Sequence, residues 1–153
     1  MTRSRVPTDL APWVELRDLT REEIAARFGI GPDGTADGVK YQGIAPVTRL
    51  SNLSRFPGHF FFEPGADTPA MVYIGDRDTL RPLDPDDLME ALGGEGTTLP
   101  SRAGKRVVQH VYPEAGIAFA AERDEVKLLE IFPPTTQETY EAEIHKDPGP
   151  YIR

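Results

Sequence analysis

The chain of 153 residues contains no cysteine, which excludes a disulfide framework, a thiolate metal site and a cysteine nucleophile. It also has no long apolar run, since the longest is a handful of residues against the roughly 20 that a bilayer-spanning helix needs. No membrane partner is therefore expected. The opening stretch Met1-Thr2-Arg3-Ser4-Arg5-Val6-Pro7 is basic but no apolar segment follows it, so no secretory signal and a cytoplasmic location are the expectations. Positive charge is in deficit: 17 Lys+Arg stand against 25 Asp+Glu, a net charge of −8 with His neutral. Affinity for nucleic acid comes from cations that neutralise phosphates, so a nucleic-acid partner is not expected. An acidic surface speeds encounter with a basic protein, and it also keeps a small protein soluble.

What is present is enough for a core. Hydrophobic residues make up 39% of the chain, with 14 Gly and 15 Pro to punctuate it, and the length suits a single domain over 1–153. Residues 19–29 (Leu-Thr-Arg-Glu-Glu-Ile-Ala-Ala-Arg-Phe-Gly) and 83–93 (Leu-Asp-Pro-Asp-Asp-Leu-Met-Glu-Ala-Leu-Gly) match at an offset of 64. In each a capping residue, Thr20 or Asp84, is followed three positions later by Glu23 or Asp87, which is how a helix satisfies its first backbone N–H groups. Pro85 suits the first helical position. Ile24 with Phe28, and Leu88 with Leu92, share a helical face, and Gly29 and Gly93 supply left-handed stops. Two short helices with the same devices are expected.

Downstream, residues 58–65 (Gly-His-Phe-Phe-Phe-Glu-Pro-Gly) and 109–116 (Gln-His-Val-Tyr-Pro-Glu-Ala-Gly) share a His-x-x-x-Glu-x-Gly pattern at an offset of 51. Apolar runs follow at 71–74, 117–119 and 126–132, the last two separated by the polar tip Glu122-Arg123-Asp124-Glu125, which reads as a hairpin. Thr135 with Glu138 opens a third helix carrying Tyr140 and Ile144. Residues 31–38 read as a loop by composition, and 41–50 as an edge strand interrupted by Pro46. The expectation is an α+β fold: an antiparallel sheet from two related helix-plus-hairpin halves, 13–80 and 81–134, a C-terminal helix 135–147, and two or three short helices packed on one face.

The short helix ending in Leu92-Gly93, then Tyr112-Pro113-Glu114-Ala115-Gly116-Ile117-Ala118-Phe119 and Val126-x-x-x-Glu130-Ile131, resemble the unit of the tandem beta-lactamase-inhibitor-protein-like fold and of related small lipoprotein domains of outer-membrane assembly. The likeness covers 83–132 and, more loosely, 19–75. It implies a helix packed on an antiparallel sheet and a binding role. Those families are exported and the inhibitor uses disulfides, whereas this chain lacks cysteine. Toxin-immunity proteins, which occlude a partner, offer a looser analogy.

Strand alternation puts His59, Phe61 and Glu63 on one face against Phe60 and Phe62, and His110, Tyr112 and Glu114 against Val111 and Pro113. One polar and aromatic face per half has the composition of a protein-binding patch, so Phe61, Tyr73, His110 and Tyr112 are its candidate residues. The rival reading is a small enzyme or ligand-binding protein with His59 and His110 in a pocket between the halves, joined by Glu63, Glu114 and the basic residues Arg102, Lys105 and Arg106. Pro64 and Pro113 also allow the glutamates simply to end strands in turns. No nucleophile motif of the Gly-x-Ser-x-Gly kind occurs, and no His-x-x-x-His ligand pair, so no catalytic residue, metal or cofactor is assigned. Gly104-Lys105 is followed by Arg106 where a phosphate loop needs Ser or Thr. Trp13 reads as a core or edge anchor, and His145 as a cation at a helix end. The preferred reading is a non-catalytic binding or inhibitory protein of immunity type.

Overall fold

The structure is a computed structural model; it describes residues 10–41, 44–101 and 104–145, apart from the side chains of 40, 41 and 44–46. The chain enters through a helical turn, α1 (Ala11–Val14), a 3-10 turn over Glu15–Asp18, and α2 (Arg21–Phe28). Four strands follow: β1 (Thr35–Tyr41), β2 (Ile44–Ser51), β3 (Gly58–Phe62) and β4 (Met71–Ile74). After α3 (Arg77–Leu80) and α4 (Pro85–Leu92) come β5 (Thr97–Pro100), β6 (Val108–Tyr112), β7 (Ile117–Glu122) and β8 (Glu125–Ile131). A last helical turn, α5 (Gln137–Thr139), widens into a π-turn over Tyr140–Ile144.

Local chemistry starts and stops the two main helices as the capping pattern predicts. The Thr20 hydroxyl accepts from the Glu23 amide at 3.1 Å, while the Glu23 carboxylate accepts from the Thr20 amide at 2.9 Å. Asp84 accepts from the Asp87 amide at 3.1 Å, and Gly29 and Gly93 end α2 and α4 with φ of 61° and 97°, a conformation that costs glycine little. The third helix differs from its expected start. Thr136, not Thr135, is the cap, its hydroxyl accepting from the Thr139 amide at 3.1 Å, while the Thr135 amide bonds the Pro113 carbonyl at 2.9 Å.

All eight strands form one antiparallel sheet in the order β1-β2-β3-β4-β8-β7-β6-β5. Each helix, α2 and α4, is thus followed by a four-strand meander, and the last strands of the two meanders, β4 and β8, pair at the centre through Val72 with Ile131 and Ile74 with Leu129. Residues 31–38, expected as a loop, hold the start of the edge strand β1, the strand expected at the edge over 41–50 is the inner strand β2, and β5 was not legible as an edge strand either. Thr35–Tyr41 carries Asp and Gly and is twice interrupted in its pairing with β2, while Thr97–Pro100 is short, mostly exposed and ends in proline. Both are the kind of strand that discourages further pairing at a sheet edge, and neither has the apolar alternation that marks a strand in sequence.

The sheet has two different faces. On the helical face Phe60, Phe62, Val72, Ile74, Ile117, Phe119, Leu129 and Ile131 pack against Leu10, Leu16, Ile24, Leu80, Leu88 and Leu92. Each such side chain, fully buried, is worth about 1.5–3 kcal/mol. Phe28 rests on Phe56 and Phe60 at ring separations of 5.0 and 5.5 Å, and Trp13 is partly buried against the same core, the anchoring role expected of it. The reverse face holds Val47, Phe61, Met71, Val111, Ala118 and Phe132, covered by Tyr140 and Ile144. The C-terminal turns therefore lie on the side opposite the other helices, not with them. Arg17 crosses from the 3-10 turn to the second meander, its Nη1 donating to the carbonyls of Ala115 (2.8 Å) and Phe132 (3.0 Å).

Candidate functional site

Three of the four aromatic-patch candidates are interior. Tyr112 belongs to the helical-face core at 7% exposure; its hydroxyl donates to the Gly94 carbonyl at 2.6 Å, and burial followed by the charge of Glu95 pushes its phenol up to about 12. His110 is 8% exposed, stacks on Phe119 at 5.0 Å and places Nδ1 2.9 Å from the Glu95 carbonyl. Together these two rings hold down the glycine-rich turn after α4. Phe61 is 4% exposed on the reverse face, beneath the C-terminal turns. For Tyr112 and His110 the physical reason is that the second meander turns its Val111 side, not its Tyr112 side, away from the helices. One residue of register exchanges the faces of a strand.

The same offset separates the two histidines. His59, on the side of Phe61, faces the reverse side; His110, on the side of Tyr112 and cross-strand from Phe119, faces the helices. They lie on opposite faces of the sheet and share no cleft. His59 also stands on the third strand after α2, and His110 on the second after α4, so the His-x-x-x-Glu match joins strands of different rank. Glu63 and Glu114 are exposed in turns, the Glu63 carbonyl accepting from the Ala66 amide at 2.9 Å, as the turn reading had it. Lys105 and Arg106 are exposed before β6, with no ion pair to either glutamate among the described residues; Arg102 lies outside the described residues. His145 bonds the Pro100 carbonyl on β5 at 2.7 Å through Nε2, a tie across the sheet edge and not only a charge at a helix end.

What the register does bring together is a polar row on the reverse face. Pairing runs Ser51 to His59, His59 to Tyr73, Tyr73 to Glu130 and Glu130 to Ala118, which carries the row across the central junction. At its inner end Glu130 is fully buried. The Tyr140 hydroxyl donates to Glu130 Oε1 at 2.6 Å, and Gln109 Nε2 approaches both Oε1 (3.0 Å) and the Tyr140 oxygen (2.6 Å). A buried carboxyl is tolerated only when hydrogen bonds surround it. Burial, then the negative charge and hydrogen bond of Glu130, raise the Tyr140 phenol far above its ordinary value, which keeps it a donor. Glu130 was legible only as part of an apolar run, where a carboxylate at a core-facing position was the available signal.

The outer end of the row is half-open. Ser51, His59, Tyr73 and Arg49 are each partly exposed. His59 stacks on Tyr73 at 6.5 Å with the planes 12° apart. Arg49 pairs with Phe61, two residues along from His59, so its side chain shares this face as a diagonal neighbour of His59. His59 Nδ1 and Arg49 Nε are both shielded from solvent and have no hydrogen-bond partner. Burial, then the Arg49 charge, lower the His59 imidazole below its ordinary value. Tyr73 leans along its strand over Gly75, where a Cβ would come within 2.9 Å of its hydroxyl; burial, then Glu130, raise its phenol.

Beyond Gly75 an open cleft of about 720 Å³ lies between α3 and the β7–β8 hairpin, with Arg77, Arg81, Arg123 and Lys127 on its walls. Its charges are mostly paired: Arg77 and Lys127 with Glu125, Arg81 with Asp78. Among the described residues no group of three or more His, Asp or Glu side chains is placed to hold a metal ion, and no helix is long and apolar enough to cross a membrane. Comparison of the chain with family models, with curated proteins and with solved structures gives no match.

Proposed function

We propose that this chain is a non-catalytic binding protein of inhibitory, immunity type, and that its protein partner docks on the open end of the reverse face, over Arg49, Ser51, His59 and Tyr73. The observation that carries the reading is that Arg49, Ser51, His59 and Tyr73 lie on one face of the sheet and are partly exposed, with His59 stacked on Tyr73. The two rings supply rigid aromatic area flanked by polar groups, the composition that dominates binding energy at interfaces. The net charge of −8 draws in a partner that is basic overall. In this reading Tyr73 keeps the role its sequence position suggested, while Phe61, His110 and Tyr112 support the fold.

A photo-activated cross-linker at position 51, compared with one at exposed Glu114, tests the surface in cells that produce the protein. A single cross-linked protein from position 51, absent from 114 and reduced by Tyr73→Ala, is the expected result. Equal capture from both positions refutes the docking surface. Purification of the captured protein then allows its activity to be assayed with and without this chain, and an unaffected activity removes the inhibitory reading.

A further inference from the structure

The cleft beyond Gly75 is formed by none of the residues of the proposed docking face. We infer that the space between α3 and the β7–β8 hairpin binds the phosphate group of a small soluble phosphomonoester, held by Arg77, Arg81, Arg123 and Lys127, and that Glu125 is the internal carboxylate which this group displaces. The site does not depend on the reverse-face reading, and either can fail without the other.

Three observations carry it. The first is convergence. The Glu125 carboxylate accepts from Lys127 Nζ through Oε1 and stands 3.8 Å from Arg77 Nη2 through Oε2. The hydrogen bond and charge of Lys127, then the charges of Arg77 and Arg81, hold it below its ordinary pKa. Cations from two separate elements, α3 and β8, thus already meet at one anionic group, and another oxyanion in its place meets the same donors. The second is access. Arg77 and Arg81 are exposed, and Glu125 and Lys127 partly so, on the walls of an open cleft of about 720 Å³, a size that suits a small molecule and leaves room beyond a bare phosphate. The third is Arg123. It has φ of 58° at the hairpin tip, where glycine or asparagine is the unstrained choice. It lines the same cleft and enters no ion pair among the described residues. A strained backbone that carries such a cation onto a cleft wall points to function.

Charge selects the ligand. On these walls four cations stand among three carboxylates, Glu122, Asp124 and Glu125, in a chain whose acids outnumber its bases 25 to 17; Arg81 is also held by Asp78 at 2.9 Å. A monocarboxylate ligand repeats what Glu125 supplies, and has to compete with a group tethered in place at high effective concentration. A phosphomonoester brings close to two charges and three acceptor oxygens, and arginine forks match phosphate oxygens. The net charge of −8 opposes approach to an anionic membrane, which favours a soluble ligand over a lipid headgroup.

Inorganic phosphate and glycerol 3-phosphate are the probes, titrated as sodium salts against sodium chloride at constant ionic strength and followed in amide 1H–15N spectra. The expected result is a saturable shift confined to the cleft residues 75–81 and 122–127. Its dissociation constant should be in the millimolar range for phosphate and several-fold lower for glycerol 3-phosphate. Glu125→Gln should bind both probes several-fold more tightly, because the internal competitor loses its charge; an ion pair that only tied the hairpin to α3 predicts no gain. Arg77→Gln and Arg123→Gly should each weaken binding several-fold, the second without loss of thermal stability. No saturable shift, an equal response to chloride, or a Glu125→Gln variant that binds no more tightly than wild type overturns the site. Equal affinity for the two probes overturns the phosphomonoester in favour of the free ion. Co-sedimentation with phosphatidylcholine vesicles carrying phosphatidic acid, not reversed by glycerol 3-phosphate, overturns the soluble ligand in favour of a lipid headgroup.

Discussion

Tyr140→Phe isolates the hydroxyl that ties the C-terminal turns to the centre of the sheet. The ring stays against Phe132, 5.3 Å away, so the packing is retained and only the hydroxyl is lost. That oxygen donates to Glu130 and accepts from Gln109, both at 2.6 Å. Gln109 and Glu130 remain bonded at 3.0 Å, yet each loses a partner while fully or almost fully buried. The expected cost is about 1–3 kcal/mol, a fall in Tm of roughly 2–4 °C for each kcal/mol at this chain length. Urea unfolding followed by circular dichroism measures it.

The pH dependence supplies a second readout. In the unfolded chain a tyrosine ionises near pH 10, whereas burial, followed by the charge of Glu130, holds the Tyr140 phenol protonated in the folded protein well above that value. Between the two values the unfolded state binds fewer protons, so stability falls as pH rises, by about 1.4 kcal/mol per pH unit for each such phenol. The contribution is intact below about pH 10. Tyr140→Phe should therefore lose stability above pH 10 with a slope shallower than wild type by that amount. A variant within 0.5 kcal/mol of wild type at neutral pH, with an unchanged alkaline slope, refutes the buried network.

Tyr112→Ala should cost about 3–5 kcal/mol in a thermal melt, since the ring is core and not a binding surface; an unaltered Tm would return it to the surface. Gly116→Ala should cost about 2–3 kcal/mol in urea, because the position has φ of 69° and an added Cβ meets the Phe132 carbonyl and the Arg17 guanidinium; a neutral result removes the claim of close approach. Arg123 has φ of 58° at the tip of the two-residue β7–β8 turn, so Arg123→Gly should raise stability by about 1 kcal/mol. A loss would mean that the side chain contributes contacts outweighing the backbone strain.

The α+β class, the helices at 20–29 and 84–93, and the hairpin at 122–125 were legible because caps, stop glycines and alternation are local signals. The pairing of β4 with β8 was not, since nothing in Met71–Ile74 names a partner more than 50 residues away. The aromatic site failed for a related reason. Alternation shows which side chains share a face, and it correctly grouped Phe61 with His59 and Tyr112 with His110. It does not say which face meets the helices, and the two meanders made opposite choices. The hydrogen-bonded role of Glu130 and the placement of Arg49 beside His59 were not legible, because a charge within a strand is unremarkable until its neighbours across the sheet are known.

The central pairing also sets an order of events during synthesis. β4 ends at Ile74 and β8 begins at Glu125, with 50 residues of chain between them. At about 5–20 residues per second the ribosome takes roughly 3–10 s to bridge that gap. Throughout that interval β4, with Met71, Val72 and Ile74 destined for full burial, presents an unpaired edge. An exposed apolar edge strand is a site of intermolecular pairing, so the nascent first meander is the stage at which this protein is most prone to aggregate. Faster translation through residues 75–124, or a chaperone that covers Met71–Ile74, should raise the soluble yield without altering the stability of the finished fold.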